Sequence, residues 1–297
     1  GRMLCDRWAG LLAATLLAVS PYHIWYSTEA RMYALLSASG LAFLLTVLRT
    51  LRTPDRSWLA ALVLSGALFL YSHIYALLGF ASVGLVCAAY ALRDLVRGKK
   101  VTASAAVLTG GAMAASALLF LPWLIILANR ARSVAEEGFW IAYPDASFLK
   151  GIAFSLAGSL AVFWLLAALA MGAPWLVAFG SRNKSTADIR SATLVCAAYA
   201  FGPPALAYFY SVLVQPILFD RYLIAAWPGF LLLASVGARH LAPRMAPIAL
   251  IAAVLVLTYP ELKFTLFEKI RPEWRLIVQD YQGRRTHTDK LILYKGF

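Results

Sequence analysis

The sequence has few charged residues, few acidic ones among them, and no cysteine pair at redox or metal-binding spacing. Only 14% of its 297 residues are charged, 62% are hydrophobic, and the mean hydropathy is +0.73. Soluble domains contain about 25% charged residues, so this composition excludes a soluble globular protein and indicates a polytopic membrane protein. Cys5, Cys87 and Cys196 lie in or beside apolar segments, which favours isolated side chains over a disulfide or a metal site.

The scarcity of acidic residues leaves a formal net charge of +13. In a soluble protein this excess would suggest nucleic acid as a partner. In a membrane protein it is explained by the Lys and Arg residues that accumulate in cytoplasmic loops. Membrane lipids are therefore the expected surroundings, and no nucleic-acid partner is expected.

Nine segments are apolar over roughly the length that a spanning helix needs, about 20 residues. The sequence therefore predicts an all-α polytopic membrane protein with about nine transmembrane helices. The longest segment exceeds a simple span, so it begins as an interfacial helix or it tilts. The predicted spans are 8–26, 33–49, 57–73, 75–92, 101–127, 149–179, 190–214, 222–238 and 244–262.

The connecting loops differ in charge. Fourteen Lys and Arg residues fall in one alternating set of loops, and five fall in the other. The positive-inside rule places the richer set in the cytoplasm, so the poorer set faces the extracytoplasmic side. The five basic residues predicted to be outside are Arg31, Arg130, Arg132, Lys150 and Arg221.

The chain changes character after residue 262. Residues 1–262 form the predicted membrane domain, and 263–297 are more polar. Trp274, Ile277, Val278 and Tyr281 follow at helical spacing, and "KLILY" has the composition of a strand. This segment predicts the beginning of an extracytoplasmic α/β domain.

The stretch "WYSTEARMYAL" (25–35) brings an acid, a base and two tyrosines to the first outer turn. If the helix begins near Pro21, then Tyr22, Tyr26, Glu29 and Tyr33 share one helical face. A carboxylate at membrane depth is costly and usually marks a functional site. The alternative is an interfacial charge in water, with the tyrosines in the aromatic belt.

Three further outer loops contain candidate residues. His73 stands between Tyr71 and Tyr75 at a helix corner. Trp140 follows Gly138 and Phe139, and its ring could stack on a sugar or a lipid. The alternatives are a satisfied interfacial histidine and a solvated amphipathic loop.

The fourth outer loop, "QPILFDRYLIAAWPG", contains Asp220 and Arg221. An arginine outside, against the charge bias, requires an anionic partner, and its planar guanidinium matches a phosphate. The alternative is an ion pair within the protein, with Glu29 or Asp220. Acids, single bases and aromatic rings at four outer turns suit a lipid-linked sugar as substrate.

Several motifs in order along the chain resemble one enzyme family. "LAVSPYHIWYSTEARMYALL", "FLPWLI" with "GFW", "FDRYLIAAWPGFLLLASVG" and "EWRLIVQDYQ" are similar to bacterial relatives of the protein O-mannosyltransferases. These are the family 39 glycosyltransferases of GT-C type, which include the aminoarabinose transferase of lipid A. The resemblance runs along nearly the whole chain.

The resemblance implies an enzyme of the bacterial inner (plasma) membrane that works on its extracytoplasmic face. It implies transfer of a sugar from a polyprenyl-phosphate donor to a lipid, glycan or protein acceptor. The family's principal catalytic aspartate belongs to a first outer loop that this chain does not contain. The chain is therefore expected to be an inactive fragment, without the N-terminal helices and the end of the C-terminal domain.

The resemblance also implies roles for residues of this chain. Glu29 and His73 would support catalysis, and either could contribute to a divalent metal site, although no cofactor is required by the motifs and no DxD is present. Arg221 would bind the donor phosphate. The implied substrate-binding residues are Arg31, Tyr33, Tyr75, Trp140, Arg221 and Tyr222.

Two other functions remain open from the sequence. A polytopic transporter or flippase of lipid-linked sugars would also use outer arginines and aromatic rings, but transporters usually contain inverted repeats, and none is evident. A membrane scaffold with merely solvated loops is the second. A cavity that joins Glu29, His73 and Arg221 would favour the enzyme.

Overall fold

The computed structural model describes residue 1 and residues 3–101, 104–137, 141–179, 185–241, 245–268 and 274–284. These residues are almost entirely helical, and no strand occurs among them. The predicted all-α membrane architecture is confirmed at this level.

Thirteen α-helices follow one another within the described ranges. They are α1 (Arg7–Ala18), α2 (Pro21–Ser27), α3 (Tyr33–Arg52), α4 (Arg56–Ser72), α5 (Ala76–Val96), α6 (Ala105–Glu137), α7 (Ala146–Ala157), α8 (Leu160–Phe179), α9 (Ser185–Leu213), α10 (Ala226–Leu241), α11 (Met245–Leu257), α12 (Tyr259–Lys263) and α13 (Trp274–Arg284). A 3-10 turn (Asp220–Leu223) precedes α10, and a π-helical turn (Phe264–Glu268) follows α12.

Fewer candidate spans are found among the described residues than the nine that were predicted. Within the described ranges, five helices are long and apolar enough to cross a membrane. A sixth is obtained if the bent pair formed by α11 and the helix that follows it counts as one span. These helices indicate a multi-pass membrane protein, and the nine predicted spans are not shown. The five are Tyr33–Arg52, Ala76–Val96, Ala105–Leu127, Leu160–Val177 and Ile189–Leu213.

The first predicted span, 8–26, is two helices. Ser20 accepts a hydrogen bond from the His23 N–H and caps α2, whose first residue is Pro21. Proline has no N–H to continue the preceding helix, but its fixed φ suits a first helical position. Residues 8–26 are mostly apolar, but the Ser20 cap and Pro21 start a new helix within them.

The overlong segment 149–179 also divides into two helices. Gly158 ends α7 with a φ of +69°, in the left-handed region. Glycine occupies this region without a Cβ clash. The Cγ of Pro21 and the Cβ of Thr258 would lie within 3.5 Å of a Cβ placed at Gly158, so the chain also passes close to its neighbours here.

α10 is the central helix of the bundle. Twelve of its sixteen residues are buried, and it packs against α1, α3, α8, α9 and α11. A helix buried on nearly all sides belongs to the core of a protein. Its N-terminal end follows the 3-10 turn that contains the partly buried Asp220 and Arg221.

The C-terminal segment is described only in part. Residues 274–284 form α13, as the spacing of Trp274, Val278 and Tyr281 predicted. The predicted strand "KLILY" lies outside the described residues. The α/β character of this segment therefore stays a prediction.

Candidate functional site

A group of five rings joins three of the predicted outer turns. We call Tyr26, Tyr33, His73, Tyr75 and Tyr222 the aromatic cluster. The Tyr75 and Tyr222 rings are stacked, with centroids 4.2 Å apart and an interplanar angle of 18°. The His73 ring lies 5.3 Å from that of Tyr222 and 5.5 Å from that of Tyr75. The α4–α5 turn and the 3-10 turn therefore share one surface.

The α4–α5 turn is also fastened to the backbone before the 3-10 turn. The Tyr75 hydroxyl donates a hydrogen bond to the Ile217 carbonyl. The N–H groups of Ile217 and Leu218 both donate to the buried Ser211 hydroxyl, at 2.8 Å. These bonds satisfy the backbone of an irregular segment that enters the bundle, as burial requires.

Arg221 lies against the aromatic cluster. Its guanidinium carbon is 5.2 Å from the Tyr222 ring centroid and 4.9 Å from that of Phe219. Its Nη2 donates to the Tyr222 hydroxyl at 3.4 Å. Cations are attracted to aromatic faces, so these rings hold a permanent positive charge in a half-buried position.

Asp220 connects the 3-10 turn to two other helices. Its Oδ2 accepts hydrogen bonds from the Tyr26 hydroxyl of α2, at 3.3 Å, and from the Ser155 hydroxyl of α7. Its Oδ1 accepts the Arg221 N–H at 2.7 Å. The Tyr22 hydroxyl donates to the Asp220 carbonyl at 2.7 Å. Asp220 thus fixes the backbone from which Arg221 extends.

The first outer turn joins the aromatic cluster through its tyrosines. The Tyr26 and Tyr33 rings are 5.3 Å apart, and Tyr33 is 6.4 Å from His73. The single helical face predicted for this stretch is wrong, because α2 ends at Ser27 and α3 begins at Tyr33. The contact between the two tyrosines is tertiary.

Glu29 and Arg31 lie in the turn between α2 and α3. Glu29 is partly buried and Arg31 is exposed. Glu29 contributes to a raised pKa of Tyr26, after the larger effects of burial and Asp220. Glu29 therefore lies near the aromatic cluster at Tyr26, whereas Arg31 is placed only by its position two residues before Tyr33.

His73 is held in its neutral form. Burial and the nearby Arg221 cation lower the pKa of His73 to about 4. Its Nδ1 accepts the Tyr75 N–H at 3.1 Å, and a neutral imidazole has one donor and one acceptor nitrogen. The proton is therefore on Nε2, so His73 presents a hydrogen-bond donor and not a base.

An apolar cavity of about 860 Å³ adjoins this site. It lies among α7, α8, α9 and α10, and the residues on both sides of the Asp220–Arg221 pair, Leu218 and Leu223, line it. Lys150 is the one charged residue in its lining. The 3-10 turn therefore stands between a charged aromatic surface and a space suited to hydrocarbon.

The structure brings most of the predicted site residues together. His73 has ring contacts with Tyr33, Tyr75 and Tyr222. Tyr75 stacks on Tyr222, and the Arg221 guanidinium lies over the Tyr222 ring. Trp140 lies outside the described residues. Within the described ranges, no group of three His, Cys, Asp or Glu side chains could hold a metal ion.

Sequence reasoning missed Ser155 and the connecting role of Asp220. The acid was considered only as an ion-pair partner of an arginine, because "FDRYL" places the two side by side. Its hydroxyl partners are 65 and 194 positions away along the chain. No local pattern marks such contacts, and a serine in an apolar helix is not distinctive.

Comparison of the chain with known protein families, with curated proteins and with solved structures found no match.

Proposed function

We propose that the chain belongs to a membrane glycosyltransferase of GT-C type that uses a polyprenyl-phosphate sugar as donor. The acceptor is a lipid, a glycan or a protein, and transfer takes place on the extracytoplasmic face of a bacterial inner membrane. The observation that carries the proposal is the position of Arg221, on an aromatic surface and beside a large apolar cavity. A lipid-linked phosphate needs both a cation and space for hydrocarbon.

Arg221 suits the phosphate of such a donor. When the sugar carbon is attacked, the polyprenyl phosphate leaves with its negative charge, and a fixed cation nearby lowers the energy of that step. The Tyr222 and Phe219 rings already hold the guanidinium, and Asp220 fixes the backbone. Little reorganisation is then needed at the moment of reaction.

His73 suits the role of a donor to the substrate. Its neutral ring carries the proton on Nε2, and the pKa of about 4 keeps it neutral at physiological pH. A neutral donor can bind a sugar hydroxyl or a phosphate oxygen. The family resemblance implies a supporting catalytic role for His73. Its geometry favours positioning of the substrate over abstraction of a proton.

The cavity suits the isoprenoid chain. Its lining among the described residues is apolar apart from Lys150 and includes Leu223, the last residue of the 3-10 turn. Each buried methylene group contributes about 0.8 kcal/mol. Tyr75 and Tyr222 would then face the sugar, since aromatic rings pack well against sugar faces. Tyr33 is fully buried, so the substrate-binding role that the resemblance implied for it is replaced by support of His73 through their ring contact.

Donor binding tests the proposal directly, because Arg221 and the cavity both lie in the described chain. The chain is purified in nanodiscs and titrated with decaprenyl phosphate, with uncharged decaprenol for comparison. A charge-assisted hydrogen bond contributes about 1.5–3 kcal/mol. Arg221→Gln should therefore weaken phosphate binding roughly 10- to 100-fold and leave decaprenol binding unchanged.

Arg56→Gln is the matched control, since Arg56 is exposed at the start of α4 and distant in the chain from the cluster. It should bind both lipids as the unmodified protein does. Equal affinity of Arg221→Gln and the unmodified protein for decaprenyl phosphate would refute the phosphate role. Movement of a lipid-linked sugar across vesicles without transfer would favour the flippase instead.

A further inference from the structure

A second apolar groove lies at the other end of α10. Ser20 accepts a hydrogen bond from the Trp227 ring near the beginning of α10, whereas Asp6 pairs with Arg239 near its end. Twelve residues of helix separate these contacts, about 18 Å. The groove has a volume of about 570 Å³ and is lined by α1, α10 and α11, through Trp8, Leu11, Leu12, Thr15, Arg239, Pro247, Ile248 and Ile251.

Arg239 is the charged residue in this lining. Its side chain is only 15% exposed, and its Nη2 donates to the Asp6 carboxylate. Its Nε–H is buried and has no hydrogen-bond partner within the described ranges. A buried donor without an acceptor costs about 1–3 kcal/mol. A small turn of the side chain toward the groove would let a ligand supply the acceptor and remove that cost.

The rim of the groove carries a second cation. Arg7 is exposed, and its guanidinium lies 5.0 Å from the ring centroid of Trp8, which lines the groove. The rest of the lining is apolar apart from Thr15, and Leu11, Trp8 and Ile248 expose half or more of their surface. Arg7 and Arg239 together with the Asp6 carboxylate leave one net positive charge beside an apolar trough, which matches a molecule with an anionic head and a hydrocarbon chain.

We propose that this groove binds an anionic phospholipid. Its phosphate accepts from the Arg239 Nε–H and is attracted by Arg7, while an acyl chain lies along Leu11, Ile248 and Ile251. Basic pockets between membrane helices bind anionic headgroups in this way. The groove lies at the opposite end of α10 from the site proposed for the sugar donor, so the two proposals are independent.

Lipid retention measured by native mass spectrometry tests the proposal. The full chain is equilibrated in nanodiscs that contain phosphatidylglycerol and diacylglycerol, which has the same acyl chains and no phosphate, and the retained lipids are counted relative to their share of the bilayer. We expect a preference for phosphatidylglycerol of about tenfold, as one charge-assisted hydrogen bond provides. The double variant Asp6→Asn/Arg239→Gln should reduce this preference to less than about twofold.

The double variant is chosen to preserve other properties. It leaves the net charge unchanged, and Asn at position 6 can still cap α1, where Asp6 now accepts the Ala9 N–H. Asp280→Asn/Arg284→Gln is the control, because it also removes an ion pair without changing the net charge, and neither residue lines the groove. It should keep the full preference.

A third variant tests the groove without touching a charged residue. Ile248 is 66% exposed, so Ile248→Trp should fold, fill the trough and reduce retention of both lipids several-fold. Equal retention of the two lipids by the unmodified protein would overturn the proposal, as would an unchanged preference in the double variant or unchanged retention in Ile248→Trp. Competition by inorganic phosphate alone would indicate a soluble-anion site and would also overturn it.

Discussion

His73 should remain neutral until the pH falls to about 4, and Arg221 should be one reason. Burial and the Arg221 cation both lower the pKa of His73, from 6.5 to about 4, and burial is the larger cause. Arg221 is therefore the smaller cause. In Arg221→Gln the pKa of His73 should rise but stay below 6.5, because the burial remains.

The measurement is a nuclear magnetic resonance titration of the histidine rings between pH 3.5 and 8. The chain has four histidines, so the His73 signal is assigned by its loss in His73→Gln. Arg221→Lys is the matched variant, because it keeps a cation and should keep the pKa of His73 near 4. A measured pKa of His73 near 6.5 in the unmodified protein would show that the ring is neither buried nor close to Arg221, and would refute the reasoning.

The same pKa predicts a dependence of stability on pH. The pKa of His73 in the folded state lies below its value in the unfolded state. The folded protein is therefore at its most stable above about pH 6.5, where the ring is neutral in both states. It loses free energy of unfolding as the pH falls toward 4, because only the unfolded state binds the proton. The interval corresponds to at most about 3 kcal/mol, and partial exposure of the ring reduces it. Thermal unfolding in detergent should show a smaller loss in His73→Gln over this range, and equal losses would contradict the linkage.

Three substitutions test other contacts, each by thermal unfolding in detergent. Asp220→Asn turns two charge-assisted hydrogen bonds into neutral ones and should cost about 1–3 kcal/mol; no change would show that these bonds do not hold the 3-10 turn. Gly40→Ala places a Cβ 2.2 Å from the Tyr199 hydroxyl oxygen and should cost about 1–3 kcal/mol. Tyr199→Phe, which removes that oxygen, should restore much of the loss, and failure to do so would place the strain elsewhere. Gly158→Ala should cost about 1–2 kcal/mol, because φ is +69°, and a neutral effect would contradict the left-handed cap.

The proposed donor site and the anionic-lipid groove both depend on α10. Its first residues follow the turn that holds Arg221, and its last turn contributes Arg239. Twelve buried residues fix the helix between them. A change in its packing would therefore move both cations, which is why the variants above replace side chains at its ends and leave its core intact.

The sequence by itself determined the class of the protein and the residues to examine. Composition required a membrane environment, because the apolar surface of this chain exceeds what a soluble fold buries. The unusual polar residues between apolar runs, His73 and Arg221 among them, could be selected because charge is costly near a membrane. Helical spacing in 274–281 correctly predicted α13.

Tertiary structure alone decided how those residues meet. Hydropathy averages over about 20 residues, so it merged α1 with α2 and α7 with α8, although the Ser20 cap and the left-handed Gly158 separate them. The contacts of Tyr26 with Tyr33 and with Asp220 depend on the packing of whole helices. Asp220 connects three elements because its hydroxyl partners, although distant in sequence, are close in space. A hydrogen bond depends on the distance in space only.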